Sequence, residues 1–171
     1  MKVYLYDDYM HIDYFNYVSK IIIDNKDFPW YSNKIVSGNQ VKIDEKLNHQ
    51  FTNVFYNEKP LNECYELFTP LLQSLNYTKL LKAKVNMTLY NNSVVEHGYH
   101  IDMPWDSEYT KNGMTAVYYL NTCDGYTKFD GGKKIQSVSN RLVKFPANLL
   151  HTGTSTTNKK CRYVLNINYI Q

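Results

Sequence analysis

Lys82-Ala83-Lys84-Val85-Asn86-Met87-Thr88-Leu89-Tyr90 alternates polar and apolar residues one by one. A period of two describes a β-strand with one apolar and one polar face, and from this stretch onward the chain reads as short strands separated by turns. Asp130-Gly131-Gly132 fits a hairpin, because glycine accepts the positive φ of a tight turn. Leu142 to Phe145 is a further strand closed by Pro146-Ala147-Asn148. In the last one, Tyr163, Leu165, Ile167 and Tyr169 share one face, and Arg162, Asn166 and Asn168 lie on the other. An arginine and two amides facing the same way read as a solvent face or as the lined interior of a barrel, and the nearby histidine and aspartate motif favours the interior.

Towards the N-terminus the period lengthens. Val3 to Tyr6 suits a short strand and Asp7-Asp8 a helix cap. Ile12, Phe15, Val18 and Ile22 then follow helical spacing, as do Cys64, Leu67, Phe68, Leu71, Leu72 and Leu75. Pro60 suits the start of the second helix, and Pro70 is expected to kink or divide it. Phe28-Pro29-Trp30-Tyr31 reads as an aromatic plug of the core, with a wall of the substrate entrance as the alternative. Residues 32–59 are polar and weakly periodic. Helices first and antiparallel strands afterwards give an α+β chain with a double-sheet jelly-roll core.

At 171 residues the chain fits one domain, divided into a helical part about 1–81 and a jelly-roll core about 82–171. Apolar content of 43% and charged content of 20% are those of a globular protein, which argues against disorder. The net charge of +3, with 19 basic and 16 acidic residues intermixed, does not indicate a nucleic-acid partner. No apolar run reaches the length of a membrane span. Cys64, Cys123 and Cys161 are odd in number and widely spaced, which points to free thiols in a reducing, cytoplasmic setting.

The chemistry lies between His100 and Arg162. On a strand, His100 and Asp102 present an imidazole and a carboxylate to one point. His151 can complete a set of two histidines and one carboxylate, the arrangement that leaves metal positions open in non-haem Fe(II) oxygenases; nitrogen and carboxylate ligands also accept Mn, Co, Ni or Zn. His97 competes for a place, but its odd offset from His100 puts it on the opposite strand face unless a loop breaks the parity. His11 and His49 have no partner pattern. Arg162 suits an acidic co-substrate, because its planar fork donates two parallel hydrogen bonds to a carboxylate.

These segments, His100-Ile101-Asp102-Met103-Pro104-Trp105, Thr115-Ala116-Val117-Tyr118-Tyr119-Leu120-Asn121, Arg141-Leu142-Val143-Lys144-Phe145-Pro146 leading to His151, and Arg162 to Tyr169, resemble the Fe(II)/2-oxoglutarate-dependent dioxygenases. Within them the chain is similar to the prolyl-hydroxylase-like branch, and especially to small members from marine phages and bacteria. The resemblance covers roughly the C-terminal half. It implies a double-stranded β-helix (jelly-roll, cupin-like) with N-terminal helices packed on one sheet, in a bacterial or phage-infected host cell. It implies Fe(II) on His100, Asp102 and His151, and 2-oxoglutarate with its distal carboxylate on Arg162, assisted by Tyr119. Tyr90 would line the co-substrate pocket, and Asn166 and Asn168 would face inward beside it. The implied reaction consumes O2, with ascorbate as a candidate reductant, and hydroxylates a peptidyl proline, a free amino acid or another small molecule while releasing succinate and CO2. Residues 103–113 would form the substrate-facing loop. The alternatives are another metal enzyme on the same scaffold and a non-catalytic binding module.

Overall fold

The computed structural model describes residues 2–35, 44 and 46–171. The unreadable segment 32–59 therefore lies partly outside the described residues. Strands β1 (Tyr4–Tyr6), β2 (Tyr31–Asn33), β3 (Gln50–Asn57), β4 (Lys59–Pro60), β5 (Lys79–Leu89), β6 (Gly113–Tyr119), β9 (Arg141–Pro146) and β11 (Cys161–Ile170) form the larger sheet. Its order is β1-β9-β6-β11-β5-β3-β2, with β4 paired to β3. A smaller sheet runs β10-β7-β8, from β7 (Tyr126–Phe129), β8 (Lys134–Gln136) and β10 (His151–Gly153). All the pairings between these strands are antiparallel. The helices are α1 (Ile12–Ser19), continued by a π-helical turn over Lys20–Asp24, α2 (Cys64–Ser74) and α3 (Ser107–Asn112). None is long and apolar enough to cross a membrane.

The period of two in Lys82–Tyr90 becomes β5, placed between β11 and β3. Ala83 and Val85 on its apolar face share a core cluster with Leu165, Ile167 and Tyr169 of β11, Phe15 and Val18 of α1 and Phe68, Leu71 and Leu72 of α2. A second cluster contains Val117 and Tyr119 of β6, Phe129 of β7, Ile135 of β8, Val143 and Phe145 of β9 and Val164 of β11, and so spans both sheets. The polar face of β5 consequently looks towards the small sheet rather than outward. The hairpin forms at the expected place: Gly131 and Gly132 take φ of 90° and 91° between β7 and β8.

The N-terminal half is less helical than its spacing implies, because β1, β2, β3 and β4 all join the larger sheet. Asp7 does not cap a helix but binds Arg141 at 2.6 and 3.1 Å, and His11 takes the cap position of α1. Pro60 lies in β4, and Asn62 instead accepts from the Cys64 amide at the start of α2. Pro70 stays inside α2 without dividing it. Both Pro70 and Glu66, whose carbonyl loses its partner there, are exposed, so water can satisfy that carbonyl. Phe28 packs in the core with Trp30 at 4.8 Å between ring centroids, which bears out the plug.

Asn140 ties the N-terminus to this frame. At φ of 60° it donates to Met10 O at 2.8 Å and accepts from Met10 N at 3.0 Å and from the Tyr118 hydroxyl at 2.6 Å. Asn140→Ala removes these bonds, leaves buried partners unpaired and strains the backbone, so it is expected to cost about 3 kcal/mol. The melting temperature should fall by roughly 10 °C, with Asn140→Gly recovering only the backbone part.

Candidate metal centre

His100 and His151 meet across an isolated antiparallel bridge in which each amide donates to the other's carbonyl, at 2.9 and 3.1 Å. Their rings lie 4.8 Å apart between centroids. Each Nδ1 sits 3.0 Å from a backbone carbonyl, of Gly98 for His100 and of Leu149 for His151. A carbonyl only accepts, so both Nδ1 atoms carry the proton and both Nε2 lone pairs are free for a metal. These Nε2 atoms stand 3.9 and 3.8 Å from the Asp102 carboxylate, and ligand atoms of the three residues all fall within 4.8 Å of one another.

The carboxylate is held from behind. Asp102 Oδ2 accepts from Asn166 Nδ2 at 3.1 Å, Asn168 Nδ2 at 3.0 Å and the Thr115 hydroxyl at 3.1 Å. Tyr109 of α3 is buried against the same group, bonded to Asn168 Nδ2 at 3.0 Å and closely to the Thr115 hydroxyl. Residues 106–113 are therefore not a substrate-facing loop throughout: Asp106 caps the short helix α3, which braces Asp102 through Tyr109. Burial works to raise the Asp102 carboxyl pKa, but His151, His100, Lys84 and the Asn166 donor together hold it well below the usual carboxylate range. The group is ionised and oriented as a ligand must be.

Arg162 lines the same cavity as the triad. It is buried, its Nη2 donates to Thr127 Oγ1 at 3.2 Å, and its Nε has no hydrogen-bond partner. It forms no ion pair among the described residues. Tyr119 lies against the guanidinium, 5.5 Å from ring centroid to Cζ, and donates to Thr127 Oγ1 at 2.8 Å. Tyr119 does not itself line the cavity; Thr127 does, with its own proton left for a ligand. Gly125 makes room for the arginine, since a Cβ there would stand 2.6 Å from Arg162 Cδ and 2.7 Å from Ser155 O.

Tyr90 is not brought to this site. It lies just past the end of β5, exposed, with its hydroxyl on Asn92 at 3.0 Å. Its amide donates to Lys160 O as the chain turns away, and the pairing ends one residue too early for the alternation to carry its ring inward. Sequence reasoning missed the residues that take this wall, Lys84, Asn86 and Thr88 of β5 and Gln50 of β3, together with Thr127 and Gly153. The signal was present in part: the polar face of β5 pairs residue for residue with Arg162, Val164 and Asn166, whose interior position was legible. His97 does reach the cavity, because Gly98 at φ of 93° breaks strand parity between it and His100.

Burial lowers the His97 pKa to about 4, with Arg162 and His100 acting in the same direction. Burial likewise lowers His151 to about 4 against the pull of Asp102. As pH falls, the unfolded chain takes up protons near 6.5, before either folded ring does. The metal-free protein should keep its full stability above pH 6.5 and lose about 3 kcal/mol per ring between pH 6.5 and 4. Melting curves across this window should show the loss, reduced by about half in His97→Gln.

No protein-family model matches the sequence, and no curated protein does. Solved structures do match. A prolyl hydroxylase from Trichoplax adhaerens, in complex with a hypoxia inducible factor oxygen degradation domain peptide fragment, superposes with a TM-score of 0.67 at 16% identity, covering 98% of this chain and 83% of that one. The fold is that of the prolyl hydroxylases. A Pseudomonas putida prolyl-4-hydroxylase gives 0.62 at 12% identity, covering 99% of this chain and 92% of the other. The viral collagen prolyl hydroxylase of Paramecium Bursaria Chlorella virus-1, as its 2OG complex, gives 0.61 at 13% identity, covering 100% and 97%. Within this prolyl-hydroxylase fold, the triad and Arg162 open into one cavity between the two sheets.

Proposed function

We propose that this chain, as one domain over residues 1–171, is an Fe(II)- and 2-oxoglutarate-dependent dioxygenase that hydroxylates its substrate with release of succinate and CO2. The observation that carries this reading is a buried arginine without a counter-ion among the described residues, in the same cavity as two histidines and a carboxylate that are oriented for a metal. A buried charge is costly unless paired, so Arg162 is explained by an anionic ligand that arrives from outside. The donor set fits Fe(II): neutral nitrogens and an ionised oxygen, with no thiolate.

His100, Asp102 and His151 would hold the metal, which together with 2-oxoglutarate supplies the oxidation chemistry from O2, with ascorbate as the candidate reductant. The residues of the chain bind and orient. Asn166, Asn168 and Thr115 keep the Asp102 carboxylate in place. Arg162 and the Thr127 hydroxyl receive the distal carboxylate of the co-substrate, and Tyr119 steadies Thr127 from behind. The apolar cluster spanning both sheets limits water at this end of the cavity. The helices packed in the other core cluster give the larger sheet a rigid backing. We place the enzyme in the cytoplasm of a bacterium or phage-infected cell, on the strength of the free cysteines and the resemblance.

The test is an anaerobic titration of metal-free protein, first with Fe(II) and then with 2-oxoglutarate. A visible charge-transfer band of the chelated keto acid supports the proposal. Iron binding without that band would point to another metal enzyme on this scaffold, and no iron binding to a non-catalytic module.

A further inference from the structure

Lys84 stands on the cavity wall beside the candidate metal centre, where its charge favours the ionised Asp102 without bonding to the triad or to the co-substrate anchor among the described residues. Its register partner on β11 is Asn166 and on β3 is Val54, so it projects from the middle of the interior face. It forms no hydrogen bond and no ion pair among the described residues. Asp102 bears on it electrostatically, but Asp102 Oδ2 is already occupied by the three donors described above.

Lys84 is the cavity cation that has no anionic group of its own to pair with among the described residues, so a ligand carboxylate finds a local partner there. Among the described lining residues, Lys84 and Arg162 are positive and Asp102 is negative, which leaves one positive charge. A divalent metal and a dianionic co-substrate cancel each other and leave that charge in place. Two acceptors lie close to Lys84 with nothing to accept. Asn86 Oδ1, two residues along the same strand face, and Asn166 Oδ1, across the ladder, are buried without a hydrogen-bond partner, and both residues line the cavity. A surplus cation flanked by orphan acceptors is complementary to a ligand that brings an anion and N–H donors together.

Resting on the dioxygenase reading, we propose that the substrate is a free α-amino acid, with its carboxylate on Lys84 and its ammonium on Asn86 Oδ1 and Asn166 Oδ1. A prolyl residue inside a peptide offers neither charge, so this wall selects against a peptide such as the hypoxia inducible factor fragment bound to the Trichoplax adhaerens enzyme.

The experiment adds each of the twenty proteinogenic L-amino acids, its carboxamide and its N-acetyl derivative, and a prolyl peptide, to the Fe(II)- and 2-oxoglutarate-loaded protein. It reads the shift of the charge-transfer band without O2 and the release of succinate with it. At least one amino acid should shift the band and speed succinate release tenfold or more, with its carboxamide and N-acetyl forms at least tenfold weaker. Lys84→Met should abolish the preference for acid over carboxamide while leaving the 2-oxoglutarate requirement within about twofold, and Lys84→Arg should retain it. Asn86→Leu should weaken the preference for the free amine, with melting curves showing that each variant folds. A response to the prolyl peptide alone, no response to any amino acid, or an acid preference that survives Lys84→Met would overturn the proposal. So would a 2-oxoglutarate requirement that rises with Lys84→Met, since Lys84 would then serve the co-substrate. Absence of the band before any amino acid is added is the separate failure of the dioxygenase reading.

Discussion

Asp102→Ala is expected to lower Fe(II) affinity by roughly 10²–10³-fold and to abolish 2-oxoglutarate turnover at ordinary iron concentrations. The magnitude follows from structural zinc sites, where about 10–16 kcal/mol of metal-binding free energy shared over four protein ligands gives about 3 kcal/mol for each. Removing the carboxylate also leaves Asn166, Asn168 and Thr115 without their common acceptor, so alanine costs stability as well as metal. Asp102→Asn separates the two effects. Its amide oxygen can still accept these bonds, whereas its charge is gone, so the variant should fold near wild type yet bind iron poorly. Calorimetric titration with Fe(II) under anaerobic conditions, beside melting curves, reads both. An Asp102→Asn protein with wild-type iron affinity would remove Asp102 from the ligand set. The pH sign is also defined: the depressed Asp102 carboxyl contributes stability above its unfolded pKa near 4, lost as pH falls through the lower folded value.

Arg162→Met should raise the 2-oxoglutarate concentration needed for half-saturation by roughly 10²–10³-fold, the loss of two charge-assisted hydrogen bonds, with Fe(II) affinity little changed. The same variant should melt no lower than wild type, and even higher, because it replaces a buried guanidinium that has no counter-ion among the described residues by an apolar chain of similar length. This pairing of lost binding with retained stability distinguishes a ligand anchor from a structural arginine, whose removal would cost both. Charge-transfer titrations with 2-oxoglutarate and thermal melts of the metal-free protein test the two halves independently.

Much of this site was legible before the fold, for physical reasons that differ from residue to residue. Alternation in β11 puts Arg162, Asn166 and Asn168 opposite Leu165, Ile167 and Tyr169, which pack in the core, and the nearby histidine and aspartate motif favoured the interior over solvent for the polar face. His100 and Asp102 were readable as a pair, although their segment is held by a single bridge to His151 rather than within a named strand. Tyr90 went astray at a strand end, where alternation stops predicting direction. His97 was left open between the two faces, because the positive φ of Gly98 that brings it to the cavity is not written in any periodicity.

Local sequence specifies the strand-rich second half, the hairpin at Gly131 and Gly132, and the identities of the candidate metal ligands and of the buried arginine. These depend on local periodicity, turn chemistry and residue type, which act over a few positions. Only the tertiary structure decided that β1, β2 and β3 join the larger sheet, that the polar face of β5 is a cavity wall, and that Thr127 mediates between Tyr119 and Arg162. It also decided that Lys84 stands there without an ion pair among the described residues. Such facts depend on which strands become neighbours, and strand pairing joins residues far apart in the chain whose local patterns are satisfied equally well by water or by one another.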